Sequence, residues 1–340
     1  AFQAHFDLDN TGSVESLINV AADIYVEDVD GMEVTNLFSI NLESLNGLPD
    51  LSGGGDLAPG SSVSAMWSII PTRDAAPAEP TVFFVGGNLS YLIGGEPVDR
   101  QLLPDRIIVY PDPILQVDYF YERIVYGDDP FTPEDEPEVP FSLGMMISNS
   151  GAGTAYDLAI RSGQPEIVEN DKGLLIHFEL ISAMLGINPM PASLLMEFGD
   201  IEPGDTAVAL WWMTASLMGE FVDFDAAMSH RDNLGSNNLS IFDEINVHES
   251  LHAMFIEGTD SDDLMDFLVS EDGDPDVTPE TIYSSEGFTL PVSPAADAQI
   301  DGPPTPGDLE VQLTASMSSG WSYIRMNDPA YDESEFQLYR

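Results

Sequence analysis

The chain has 340 residues, of which 60 are acidic and only 9 are Lys or Arg, for a net charge of −51. That charge repels phosphate backbones and leaves no basic stripe to collect them, which argues against nucleic acid as a partner. With 43% hydrophobic residues and four Trp the chain is too apolar for an unfolded acidic tail, yet so many carboxylates in a compact state call for screening salt or bound divalent cations.

The opening "AFQAHFDLDN" lacks the basic and apolar regions of a signal peptide, so the expectation is a segment or subunit of something longer, with any leader upstream or removed. Beyond it, short apolar runs recur between Gly, Pro, Asn and Asp clusters: "VSAMWSII" at 63–70, "TVFFVGG" at 81–87, "RIIVYPDP" at 106–113 and "VPFSLGMMISNSGAG" at 139–153. "GLLIHFELI" at 173–181, "TAVALWWM" at 206–213, "INVHESLHAMF" at 245–255 and "LEVQLTASM" at 309–317 continue the series. Each has strand length and is closed by turn residues, and few windows sustain a 3.6-residue period, which predicts an all-β chain of antiparallel β-sandwiches. The longest uncharged stretch, "TAVALWWMTASLMG", is shorter than the ~20 residues a spanning helix needs, so no membrane span is expected in this segment. With no Cys, stability must come from packing or ions, and the cysteine count is silent on location.

An internal repeat of roughly 140 residues orders these runs. "DLAPGSSVSAMW" at 56–67 matches "DIEPGDTAVALW" at 200–211, and "LDNTGS" at 8–13 matches "ISNSGAG" at 147–153. Cuts near 112 to 116, at "YPDPILQ", and near 257 to 263, at "EGTDSDD", give a first sandwich over 1–114, a second over 115–258, and a divergent or incomplete β module over 259–340. Gly151 and Gly153 are expected at positive φ, and Pro203-Gly204 at the centre of a type II turn. Trp67 and Trp211 are expected in the cores. Because Trp211 and Trp212 are adjacent on a strand they point to opposite faces, so one of them is a candidate inter-domain or inter-subunit contact.

"ISNSGAGTAYDLAI" followed by "FGDIEPGDTAVALWWM" resembles the CARDB/NEW3-like type of immunoglobulin-like repeat found in large bacterial and archaeal surface proteins. The resemblance covers the second unit well, the first in part and the third poorly. It implies tandem immunoglobulin-like sandwiches and an extracellular, secreted or cell-surface setting, with no catalytic residues to carry over.

The sharpest motif is His248-Glu249-x-x-His252. On a helix the two His would share a face and bind zinc while Glu249 acts as the catalytic base of a metallopeptidase. No recognised third ligand follows; His230, Glu257 and Asp260 are the nearest substitutes. Read as a strand over 245–256, Ile245, Val247, Leu251, Ala253 and Phe255 form one apolar face and Asn246, His248, Ser250, His252 and Met254 the other, and this is the expected reading.

Calcium is the suspected cofactor, since it takes six to eight oxygens and clustered Asp can supply several. The candidates are Asp28 and Asp30, Asp128 and Asp129, Asp260 and Asp262, and Asp272, Asp274 and Asp276. Asp260, Asp262 and Glu271 mimic EF-hand positions, but Leu264 and Met265 break that pattern. Asn88 and Asn238 open glycosylation sequons. The expectation is an acidic structural or adhesive protein, part of an elongated or filamentous surface assembly whose partners are other copies or neighbouring domains. The alternatives are the zinc peptidase and a carbohydrate-binding module using Tyr119, Phe120 and Tyr121 as exposed aromatics.

Overall fold

A computed structural model describes residues 1–12, 14–129, 131–133, 135–166, 177–220, 223–229, 240–256, 262–270, 278–295, 298–300, 312–316 and 319–324. The fold is all-β: strands, two single-turn 3-10 helices, and no α-helix among the described residues. The first unit contains β1 (Phe2–Asp9), β2 (Leu17–Glu27), β3 (Phe38–Asn46), β4 (Ser52–Leu57), β5 (Ser62–Pro71), β6 (Thr81–Ile93) and β7 (Glu96–Val109). They form two facing sheets, ordered β1-β5-β3 and β4-β2-β6-β7.

The second unit runs through β8 (Leu115–Tyr121), β9 (Ile124–Val125), β10 (Phe141–Asn149), β11 (Ala155–Glu166), β12 (Phe178–Leu185) and β13 (Asn188–Met190). It continues with β14 (Met196–Ile201), β15 (Thr206–Ala215), β16 (Gly219–Glu220), β17 (Asp223–Ser229) and β18 (Phe242–Met254). One of its sheets is ordered β14-β11-β17. The other begins β13-β12-β15-β10-β8-β18 and carries on, without a break, into β19 (Asp266–Val269), β20 (Thr281–Tyr283), β21 (Thr289–Pro294) and β24 (Trp321–Tyr323). A small separate pair, β22 (Gln299–Ile300) and β23 (Leu313–Thr314), completes the set.

The repeat seen in the sequence is a repeat of topology. The order β1-β5-β3 facing β4-β2-β6 recurs as β10-β15-β12 facing β14-β11-β17. Register agrees as well: β1 pairs with β5 from Phe2↔Ile69 to Asp9↔Ser62, and β10 with β15 from Phe141↔Met213 to Ser148↔Thr206. The Pro203-Gly204 turn has the predicted form and the Pro59-Gly60 turn shares it, with Gly60 and Gly204 at φ 76° and 84° and the i+3 bond closed by Ser61 N–H to Ala58 and Asp205 N–H to Glu202. Each turn receives a buried Asn. Gly60 N–H donates to the Asn10 carbonyl at 2.7 Å, and Gly204 N–H to that of Asn149 at 2.8 Å.

The units differ at the edges of their sheets. β7 covers the edge of β6 in the first, and no described strand takes that place on β17 in the second. Conversely β8 covers β10 in the second, while no described strand takes that place on β1 in the first. The cores follow from this. Trp67 packs with Phe6, Leu57 and Leu89, and Trp211 with Leu143, Met145 and Ile160. The C-terminal strands then fold onto the outer face of the second unit's larger sheet, where Phe120, Met146, Val208 and Leu210 meet Phe267 and Val269. Phe267 stacks on Phe120 at 4.0 Å, in space left by Gly144, where an added Cβ would lie 2.2 Å from the ring. Trp212 packs against this second cluster while Trp211 lies in the sandwich core, so the adjacent pair divides between a core and an inter-module contact.

One expectation about glycine is corrected. Gly151 and Gly153 are not at positive φ. They are required by close approach: a Cβ on Gly151 would fall 2.4 Å from Ile114 N, and one on Gly153 would fall 2.1 Å from the Pro111 carbonyl oxygen. The segment joining the two units is laid directly over this turn.

Candidate functional site

The His-Glu-x-x-His residues lie on β18, a strand, which runs parallel to β8 from Phe242↔Leu115 to Glu249↔Tyr121 and then antiparallel to β19. Over 245–250 the apolar face is the outward one. Ile245 and Val247 are about 60% exposed, at 60% and 62%, whereas His248 and Ser250 are buried. The reason is a partner that spacing alone does not reveal. Asp118, buried in the middle of β8, accepts from His248 Nε2 at 2.9 Å, from Asn246 Nδ2 at 3.1 Å and from Gln116 Nε2 at 2.9 Å. The His248 ring lies against Phe120 at 5.1 Å and Tyr283 at 4.2 Å. A buried acid so satisfied favours one register of β18 on β8, because a one-residue slip would turn His248 to solvent and leave Asp118 unmatched.

Glu249 is directed differently, with its carboxylate 3.9 Å from Arg123. His252 is exposed and follows a register shift between Ser250 and His252. At a strand rise of ~3.3 Å per residue, residues 248 and 252 are separated by about 13 Å, too far for side chains that would each sit ~2.0–2.1 Å from one zinc. The strand therefore does not assemble His248, Glu249 and His252 into one site. Of the substitute ligands, His230, Glu257 and Asp260 lie outside the described residues.

The acidic candidates act locally where they are described. Asp28 Oδ1 accepts from the N–H of Asp30 and of Met32, both at 2.9 Å, closing the loop after β2; Asp30 is exposed. Asp128 Oδ1 accepts from Glu136 N–H and Asp129 Oδ1 from Phe131 N–H, while Glu136 in turn accepts from Asp129 N–H and Thr132. Asp262 Oδ1 accepts from Leu264 N–H and Ser285 Oγ, and Ser285 also donates to the buried Asp266. Asp260, Asp272, Asp274 and Asp276 lie outside the described residues, and no group of three or more metal-capable side chains occurs among the described ones. Asn88 is exposed at the middle of β6, with its backbone between Asp23 and Gln101; Asn238 lies outside the described residues. The carbohydrate-binding alternative needed Tyr119, Phe120 and Tyr121 exposed, but Tyr119 and Phe120 are buried and Tyr121 is packed against the core.

The junction between units is the other built feature, and motif reading missed it. Asn149 makes four side-chain bonds. Its amide donates to the carbonyls of Gly153 and Ile201, and its oxygen accepts from Ile114 and Gly151 N–H. Ser150 N–H and Gly153 N–H donate to the carbonyls of Ile114 and Asp112, so the linker is stitched to the turn by its backbone. Beside it is a cleft of 320 Å³ between the units, lined by Ser39, Arg73, Asp112, Pro113 and Ser240 among others. Arg73 bridges its two sides by pairing with Asp243 at 3.2 Å. Burial pushes the Asp112 carboxyl up, with Arg73 opposing. The signal in the sequence was the second Gly of "NSGAG", in the turn that the linker crosses; "NTGS" lacks it.

No family model matches the chain, and no curated protein sequence matches it significantly.

Proposed function

We propose that the chain is a structural or adhesive subunit of an elongated extracellular assembly, acting through its surfaces and strand edges. The observation that carries this reading is the repeated sandwich with its linker bonded into the second unit's turn: two units joined by a short, hydrogen-bonded segment suit a load-bearing or spacing role. The strongly acidic surface supports a saline or calcium-containing setting. The resemblance of the second unit to surface-protein repeats points the same way. Electron microscopy and light scattering on native source material test it. Elongated, multi-copy particles are the expected result, and a compact, strictly monomeric particle would refute it.

A further inference from the structure

We propose that Asn46 is a site of spontaneous covalent modification: its side-chain amide closes on the Gly47 nitrogen and is lost as ammonia, and the isoaspartate that results unseats part of the first core. This holds whatever the chain assembles into, and it gives the fold a lifetime.

Asn46 and Gly47 form the only Asn-Gly step in the chain. Ring closure at an Asn depends on how easily the next backbone nitrogen reaches the side-chain carbonyl carbon. A following side chain obstructs that approach, and Gly has none. Asn46 ends β3, where its partner is Ser64 on β5, and both Asn46 and Gly47 are exposed. Among the described residues neither the Asn46 side chain nor the Gly47 N–H is held by a hydrogen bond. Nucleophile and electrophile are therefore adjacent, wetted and untied.

In the reaction the Gly47 nitrogen gives up its proton to water or hydroxide and bonds to Cγ of Asn46, the Cγ–Nδ2 bond breaks, and ammonia leaves. Water then opens the cyclic imide. Attack at the side-chain carbonyl gives Asp. Attack at the main-chain carbonyl gives isoaspartate, in which the chain continues through the former side chain and is longer by a methylene. The balance is a water consumed, an ammonia released and a negative charge gained.

The fold leaves that methylene no room. Gly47 is at φ 94°, and an added Cβ there would strike the Ser62 carbonyl oxygen. The next residue, Leu48, is buried in the core cluster of Leu57, Val63 and Trp67, and Gly55 leaves space for it, since a Cβ on Gly55 would meet Leu48 Cδ2 at 2.8 Å. Asp50 fixes the following turn by accepting from Ser52 N–H at 2.8 Å and Gly54 N–H at 3.1 Å. With β3 paired on one side and Leu48 and Asp50 anchored on the other, a longer joint must displace Leu48 or pull Asn46 from Ser64.

The chain supplies its own controls. The matching strand end of the second unit reads Leu185-Gly186-Ile187 and has no amide to lose. Asn41, also exposed on β3, precedes Leu42 and has its amide bonded to Ser39 Oγ at 3.3 Å.

Ageing the folded protein in mildly alkaline buffer, with peptide mapping for Asp and isoaspartate and with thermal melts, tests both the site and its effect. Position 46 should convert while Asn41 stays intact, and the melting midpoint should fall in proportion to the isoaspartate formed. Asn46→Gln, which would have to close a larger ring, should keep its midpoint through the same treatment. Fresh Asn46→Asp, with the charge but not the longer chain, should melt with the fresh unmodified protein. An Asn46 that persists in the folded protein while the urea-unfolded chain converts would overturn the site. Isoaspartate formed with no loss of midpoint, or a loss that Asn46→Gln shares, would overturn the link to the core.

Discussion

Asn10 and Asn149 hold the same bond in two sandwiches: each side-chain amide donates at 3.0 Å to a carbonyl at the end of the fourth sandwich strand, Leu57 in one unit and Ile201 in the other. They differ in what else they hold. Among the described residues Asn10 adds one bond, to the Glu15 carbonyl, while Asn149 adds three and through Ile114 ties down the linker. At about 1 kcal/mol net per buried hydrogen bond, Asn149→Leu should destabilise by roughly 3–4 kcal/mol and Asn10→Leu by roughly 2. Urea denaturation of the two variants checks the order; equal losses would mean that the linker bonds contribute nothing.

The glycines of the same turn give a sharper contrast. Gly153→Ala would drive a methyl into the Pro111 carbonyl and should cost roughly 1–3 kcal/mol through displacement of the linker. Gly12, in the matching turn of the first unit, has nothing within 4 Å of an added Cβ, and Gly12→Ala should change stability by no more than about 0.5 kcal/mol. Thermal melts of both single variants decide it.

For the buried acid on β8, His248→Ala leaves Asp118 with Gln116 and Asn246 but without its ring partner, and should cost about 3 kcal/mol. His252→Ala, at an exposed position, should cost no more than about 0.5 kcal/mol. Zinc titration by calorimetry of the unmodified protein is expected to show no stoichiometric site that either substitution removes. Stoichiometric zinc lost in both variants would make the pair a metal site after all.

Burial raises the carboxyls of Glu122, Asp112 and Asp266 above their ordinary values of 4.5, 3.8 and 3.8. In each case the folded state keeps its proton to higher pH than the unfolded chain does. Stability therefore falls as pH rises from the ordinary value through the raised one. Asp50 and Glu136, lowered by the hydrogen bonds they accept, oppose this weakly and lose their contribution on acidification. Glu122→Gln stays neutral, so its stability relative to the unmodified protein should grow between about pH 4 and pH 7. A difference that is flat with pH would contradict the burial argument.

Calcium, proposed from the acidic composition, has a direct test in melting with EDTA against millimolar calcium at matched ionic strength. Binding to the native state alone stabilises by about 2.7 kcal/mol at a hundredfold excess over Kd. Equal midpoints would remove calcium from the reading of this protein.

Strand composition and turn chemistry made the sandwich legible: the Pro-Gly turns, the Asn-x-Gly turns and the core Trp all stand where those residues predict. β1 and β3 were harder to see, because as partly exposed strands they alternate apolar with charged or polar residues and form no apolar run. Faces were harder still. The alternation of 245–255 marks a strand but not which side is buried, since that depends on Asp118, more than a hundred residues away. In the same way Gly151 and Gly153 looked like backbone-conformation glycines, when their role is to admit a passing chain that only the fold brings there.

The pairing of β8 with β18 joins the first strand of the second unit to its last, and joins them in parallel. Tension entering at Leu115 and leaving toward Met254 would pull these neighbours in opposite directions along their length. Their hydrogen bonds would then be loaded together, in shear, instead of being peeled one after another from an end. In such a sandwich resistance to extension resides in this seam, and Asp118 with His248 lies inside it as a peg across the sliding surfaces.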